Sequence, residues 1–271
     1  MKQEIRVIVI GAHPDEPDIY AGGTAALFAA LGHKVKFLSL TDGCGGHYEL
    51  PGPELVTRRK KEADEAAKRL GIVEYEVLST HDGELFPDVA TRNEVIRHIR
   101  RWQADVVITF HPAGGTHPDN RYAGHVVSDA VPFSALKNAV IDVPALERTP
   151  VVLLMPDYSM KDRYQADVVI DIEAVLEKKL LACDAHASQF YEFSGKNEDR
   201  EVPQTWEEKR EYLLKYWAPF FYVSDEMKAG LEKWYGAERA AQITYAEPFE
   251  IANYGRKVDD AELKKWFPML G

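Results

Sequence analysis

Val7–Gly23, reading VIVIGAHPDEPDIYAGG, decides the fold. Its first five residues, Val7 to Gly11, read as a buried strand, because a short run of β-branched residues suits a strand covered on both faces. The run stops on polar chemistry. His13, Asp15, Glu16 and Asp18 fall within six positions, Pro14 and Pro17 stiffen the turn, and Gly22-Gly23 lead into an apolar helix. Ligands of open parallel sheets bind at the carboxyl ends of strands, so these side chains stand at the mouth of a site. One imidazole and three carboxylates at a strand end suit a metal or acid–base centre better than a solvated turn.

Outward from this stretch the chain alternates. Thr24–Leu31 reads as a helix stopped by Gly32, and Lys34–Thr41 as a second strand. The glycine-rich segment Asp42-Gly43-Cys44-Gly45-Gly46-His47 precedes a helix over Leu55–Leu70. Tyr75–Leu78 reads as a strand opening into His81-Asp82-Gly83-Glu84, and Asn93–Trp102 as a helix. Val106–Phe110, a strong strand, delivers a second dense loop, His111–Asn120, before a helix over Arg121–Leu136. Strands at Val151–Met155 and Val168–Ile172 and a helix over Val175–His186 follow. The repeats predict an α/β, Rossmann-like fold: a mostly parallel sheet with helices on both faces. From about Gly195 the texture becomes aromatic-rich and helical. Thr205-Trp206-Glu207-Glu208 forms a capping box, and Ser224–Tyr235 and Asp259–Phe267 read as further helices. Trp217, Phe220 and the other aromatics there are expected to pack as core or interface. The expected division is an α/β domain over 1–194 and a helical C-terminal extension over 195–271, packed on that domain or on a sister subunit of a homo-oligomer.

A net charge of -11, from 33 basic and 44 acidic residues, argues against nucleic acid and anionic membranes as partners. Arg58-Arg59-Lys60-Lys61 is interleaved with Glu62, Asp64 and Glu65 and reads as a solvated helix face. No apolar run reaches the roughly 18 residues of a membrane span. Cys44 and Cys183 make no disulfide framework, and with no targeting segment in the opening residues the expected location is the cytoplasm. Gly11-Ala12-His13-Pro14 lacks the glycines that a dinucleotide pyrophosphate needs.

The two dense loops share a grammar, His13-Pro14-Asp15-Glu16 and His117-Pro118-Asp119-Asn120. Each follows a strand and precedes a helix, so both can converge on one cleft. In this the α/β part resembles the LmbE-like, or PIG-L, family of zinc-dependent N-acetylglucosamine deacetylases. The opening loop is similar to the family's A-H-P-D-D-x-E with a G-G-T helix start, and the second loop to its H-P-D-H-R. Weaker echoes are Arg59-x-x-Glu62, Asp82-Gly83-Glu84-Leu85 and Ala185-His186-Ala187-Ser188-Gln189.

The resemblance implies a metal-dependent hydrolase that removes an acyl group, acetyl first, from an N-acylated amino sugar or its conjugate. It implies a divalent metal, zinc foremost, held by His13, Glu16 and Asn120. Asp15 is implied as general base, and His117 as the group that stabilises the oxyanion or protonates the leaving amine. Asp119 would orient a neighbouring histidine, while Arg59 and Asp82 hold the sugar. A metal that acidifies water, a carboxylate beside it and an imidazole that titrates near neutrality make consistent chemistry. The family's second Asp is Glu16 here, and its ligating histidine is Asn120. An amide oxygen is a weak, hard ligand, and Asn120 also reads as an N-cap before Arg121. These two changes leave open a catalytically impaired relative that binds a sugar-like ligand in the same cleft.

Overall fold

The computed structural model describes residues 4–157, 160, 164–197 and 200–271. In chain order its elements are β1 (Arg6–Gly11), α1 (Glu16–Ala30), β2 (Lys34–Thr41), α2 (Gly52–Leu70), β3 (Glu74–Thr80), α3 (Val89–Trp102), β4 (Val106–Phe110) and α4 (Pro118–Ser134). There follow β5 (Val151–Met155), β6 (Val168–Asp171), α5 (Leu176–Ala185), a π-helical turn over Ser188–Phe193, α6 (Ser194–Asn197), α7 (Trp206–Tyr216), α8 (Asp225–Ala240), β7 (Ala246–Ile251) and α9 (Asp260–Trp266). One 7-stranded sheet runs in the order β3-β2-β1-β4-β5-β7-β6. Strands β1 to β5 pair in parallel, whereas β7 runs antiparallel to both β5 and β6.

The chain winds from β1 to β3 on one side and from β4 to β5 on the other, so the strand order reverses between β1 and β4. Right-handed crossovers in opposite directions place the helices on opposite faces. Accordingly α1, α2 and α5 pack on one another, and α3 packs on α4. Val7 to Ile10 of β1 are wholly buried, as are Val106 to Phe110 of β4, which explains their near-continuous apolar sequence. The carboxyl ends of these two neighbours form the crevice where such folds bind ligands. Among the described residues no helix is long and apolar enough to cross a membrane.

Two differences from the sequence expectation bear on the site. Helix α1 begins at Glu16, not Thr24, so the acidic turn is the first turn of the helix, where its dipole favours negative charge. The second concerns the aromatic C-terminal segment, which is helical in α7, α8 and α9 yet also supplies β7. That strand slots between β5 and β6, so the segment completes the sheet as well as packing on it. Ala-Glu-Pro-Phe-Glu-Ile carries a proline and two acids, composition that masks a strand.

Candidate active site

The turn from β1 to α1 is built around Glu16. Its Oε2 accepts the N–H groups of Ala12 and His13, each at 2.8 Å, and its Oε1 lies 3.0 Å from His13 Nδ1. Between them Asp15 holds φ 141°, a conformation that side-chain-bearing residues rarely adopt. Two neighbours constrain it. Asp15 N–H donates to the Tyr75 hydroxyl at 2.9 Å, and Arg59, 2% exposed, donates to Pro14 O at 2.6 Å and lies 3.3 Å from Asp15 Oδ1. Arg59 also donates to Gly43 O at 2.9 Å. A Cβ on Gly43 would stand 2.3 Å from that guanidinium, so only glycine lets the arginine through.

The loop after β4 uses the same three letters differently. Pro118 opens α4, and His117 is its N-cap, with Nδ1 accepting Asp119 N–H at 3.3 Å. A proline restrains the preceding residue to extended backbone, which leaves the His117 ring over the helix start. Expected as the N-cap, Asn120 instead lies two residues inside the helix. The reason is that Pro118, with no N–H to lose, starts α4 three residues earlier than the predicted Arg121.

The two loops meet. His13 Nε2 lies 3.0 Å from Asp82 Oδ1 and 3.4 Å from Asp119 Oδ2, and the His117 ring stands edge-on to His13 with centroids 4.7 Å apart. One ligand atom from each of His13, His117 and Asp119 falls within 4.8 Å of the others. Asp119 is fully buried, its Oδ2 accepts Gly83 N–H at 2.8 Å, and its Oδ1 has no hydrogen-bond partner among the described residues. Asn120 donates through Nδ2 to Asp157 Oδ2 at 3.1 Å, and its buried Oδ1 also lacks a partner among the described residues. Two imidazoles, a carboxylate and unpartnered buried oxygens form a donor set that fits a zinc-class cation.

The electrostatics follow from this crowding. Burial opposes charge on His13, but Glu16, Asp119 and Asp82 outweigh it and raise its pKa well above 6.5. Burial pushes the Asp15 carboxyl up to about 6, with Arg59 pulling the other way. For Asp82 burial again acts upward, yet His13 and Arg59 hold the carboxyl down at about 2.

Above these groups opens a cavity of about 510 Å³, lined by His13, Asp15, Glu16, Arg59, Asp82, His117 and Asn120, whereas Asp119 and Asp18 are wholly buried behind that lining. Not all face it as expected. Both Glu16 oxygens are engaged within the turn, Arg59 clamps the loop that carries Asp15, and Asp82 pairs with His13. Part of the lining is aromatic. Tyr20, Phe190, Phe193, Trp217 and Phe220 form it, the last two stacked with centroids 5.7 Å apart. Sequence reasoning placed Trp217 and Phe220 in packing alone. Their helical spacing carries no trace of the cavity, whereas the Ala185–Gln189 echo ends on Gln189, which lines the cavity beside Phe190 and Phe193.

Comparison with known proteins agrees with this geometry. Residues 8–131 match the family described as PIG-L: GlcNAc-PI de-N-acetylase. Diacetylchitobiose deacetylase of Thermococcus kodakarensis is 32% identical over 197 residues, covering 69% of this chain and 71% of that protein. A probable N-acetyl-alpha-D-glucosaminyl L-malate deacetylase 2 of Bacillus cereus is also 32% identical over 197 residues, covering 69% of this chain and 84% of its own. The solved N,N'-diacetylchitobiose deacetylase from Pyrococcus horikoshii, in complex with an inhibitor, superposes with a TM-score of 0.68 at 26% identity, covering 92% of this chain and 84% of that one. An α/β fold with its polar centre at the β1/β4 crevice defines the class. Within it, the chain belongs to the PIG-L family.

Proposed function

We propose that this protein is a metal-dependent hydrolase that removes an acyl group, acetyl first, from an N-acylated amino sugar or its conjugate. The observation that carries the reading is the convergence of His13, His117 and the buried Asp119 at the cavity that His13, His117 and Asp15 line. In this assignment these three residues hold the cation, zinc foremost. Glu16 on His13 Nδ1 is the carboxylate that fixes the ring of a metal-binding histidine, a role distinct from the direct ligand that the family motif implied. When bound, the cation supplies Lewis acidity for water activation and for the oxyanion.

The chain's own residues do the rest. Asp15 accepts a proton as water adds to the acyl carbon, then returns it to the amide nitrogen as the C–N bond breaks, leaving a carboxylic acid, which ionises to solvent, and a free amine. Arg59 and Tyr75 hold Asp15 in place for both transfers. The aromatic lining suits the apolar face of a pyranose ring or of its aglycone, and the cavity is of small-ligand size.

The test is acetate release from N-acetylglucosamine and its glycosides and conjugates, by chelated protein and by protein reloaded with zinc, cobalt, manganese or magnesium. Release that depends on the cation is expected. No release from any substrate with any ion overturns the reading and leaves a sugar-binding relative, which the turn of Asn120 Nδ2 toward Asp157 favours.

A further inference from the structure

We infer that Asp42, Cys44 and His81 form a second cation site, selective for a thiophilic divalent ion of the zinc class, on the rim of the active-site cavity. Asp42 and Cys44 follow β2 and His81 follows β3, two strands paired in parallel, so both loops leave the same sheet edge. Cys44 Sγ lies 3.1 Å from His81 Nδ1 and 3.3 Å from Nε2, and one ligand atom from each of the three residues falls within 4.8 Å of the others. A sulfur and an imidazole nitrogen that share one tetrahedral zinc stand roughly 3.5 Å apart. The spacing is therefore close to that of two ligands, and because the sulfur sits almost equally far from both ring nitrogens, the exposed ring has only to turn to aim one of them at the ion.

The carboxylate is fixed beside them. Asp42 Oδ1 accepts the N–H of Cys44 at 3.0 Å and that of Asp82 at 3.2 Å, which ties the two loops together before any ion arrives. Thiolate, imidazole and carboxylate in one group select zinc or cobalt over calcium and magnesium, and three protein ligands leave a position open. His81 is exposed, so an ion can enter from solvent. On binding, the Cys44 S–H bond breaks, the sulfur lone pair forms the bond to the cation, and the proton leaves to solvent. No electron transfer is involved.

The site is distinct from the His13 centre but touches it through one residue. Asp82, next to His81, accepts Gly45 N–H at 3.2 Å and contacts His13 Nε2 at 3.0 Å. An ion at Cys44 therefore stiffens two loops whose residues Gly45 and Asp82 line the cavity. The inference stands whether or not the proposed deacetylase reading holds.

Cobalt titration of the whole protein, in the presence of a non-thiol reductant, tests it. Thiolate-to-cobalt charge-transfer absorption is expected in the wild type and in His13→Ala, and is expected to disappear in Cys44→Ser and weaken in His81→Asn. Cys183→Ser serves as control, since Cys183 is 1% exposed and belongs to neither cluster, and it should keep the band. Equilibrium dialysis against zinc should show the wild type binding one equivalent more than Cys44→Ser. Absence of the band from wild-type protein overturns the proposal, as does equal zinc uptake by wild type and Cys44→Ser. Either result leaves the Cys44–His81 contact as an S–H···N hydrogen bond alone.

Discussion

Asp15 occupies a backbone conformation that costs on the order of 1–3 kcal/mol for a residue with a side chain, and it does so only because its surroundings over-determine it. Tyr75 takes its amide, Arg59 holds the carbonyl before it and faces its carboxylate, and Glu16 ties down the turn on either side. Asparagine matches aspartate closely in shape and leaves the backbone contacts to Tyr75 and Arg59 in place, so Asp15→Asn should keep this geometry while removing the proton acceptor. Metal content and thermal stability should then stay near wild type while kcat falls roughly a hundredfold or more. His13→Ala should lose metal and turnover together. Wild-type kcat in Asp15→Asn would move the base to another carboxylate. At this scale the sequence was informative because His13, Asp15 and Glu16 are adjacent in the chain, and a strand end is legible. What it hid was direction: nothing in His-Pro-Asp tells that Glu16 turns back on the backbone, or that Asp119 rather than Asn120 faces His13.

Between elements, the decisive contact joins residues that no sequence window spans. Lys179 of α5 and Glu247 of β7 are both fully buried and 2.7 Å apart. Lys179 also donates to the carbonyls of Asp18 and Ile19, while Glu247 accepts the amides of Gly23 and Thr24, 224 and 223 residues away. The pair thus takes both the acceptors and the donors of one turn of α1, much as a side chain inserted into a helix ladder does. This explains a helix that carries Gly22-Gly23 in its middle. A Cβ on Gly23 would come within 2.6 Å of Ile172 Cγ2 and 3.1 Å of Glu247 Oε1. Lys179→Met should be costly, since it strands a buried carboxylate and two carbonyls; about 3–5 kcal/mol is expected by urea denaturation. Adding Glu247→Gln should recover part of the loss. A single-mutant cost near that of an exposed ion pair, under about 1 kcal/mol, would show that the pair holds nothing together. The strands up to β6 were legible as short apolar or alternating runs, whereas β7 and its glutamate lie in a segment whose composition reads as a helical extension.

For the molecule as a whole, the same helix is tied to α5 by a second buried pair whose charge depends on pH. His186 Nε2 lies 3.0 Å from Asp18 Oδ2, and both side chains are fully buried. Burial disfavours charge on the imidazole, but Asp18, through its charge and its hydrogen bond, outweighs burial and raises the His186 pKa above 6.5, with Asp15 and Glu62 adding in the same sense. Tyr75 and Phe190 pack their rings against it and offer no opposing charge. A group whose pKa is higher folded than unfolded binds its proton more tightly in the fold. Its contribution to stability is therefore complete below pH 6.5 and drains away as pH rises from there through the raised value. His186→Asn removes that contribution at every pH. The difference in unfolding free energy between wild type and His186→Asn should accordingly be largest in mildly acidic buffer, shrink as pH climbs past neutrality, and level off once the folded-state imidazole has lost its proton. Denaturation of both proteins across that range measures it, and comparing the pair cancels the other titrating groups. A gap that stays constant with pH would mean that His186 is neutral in the fold and that its bond to Asp18 is made without charge.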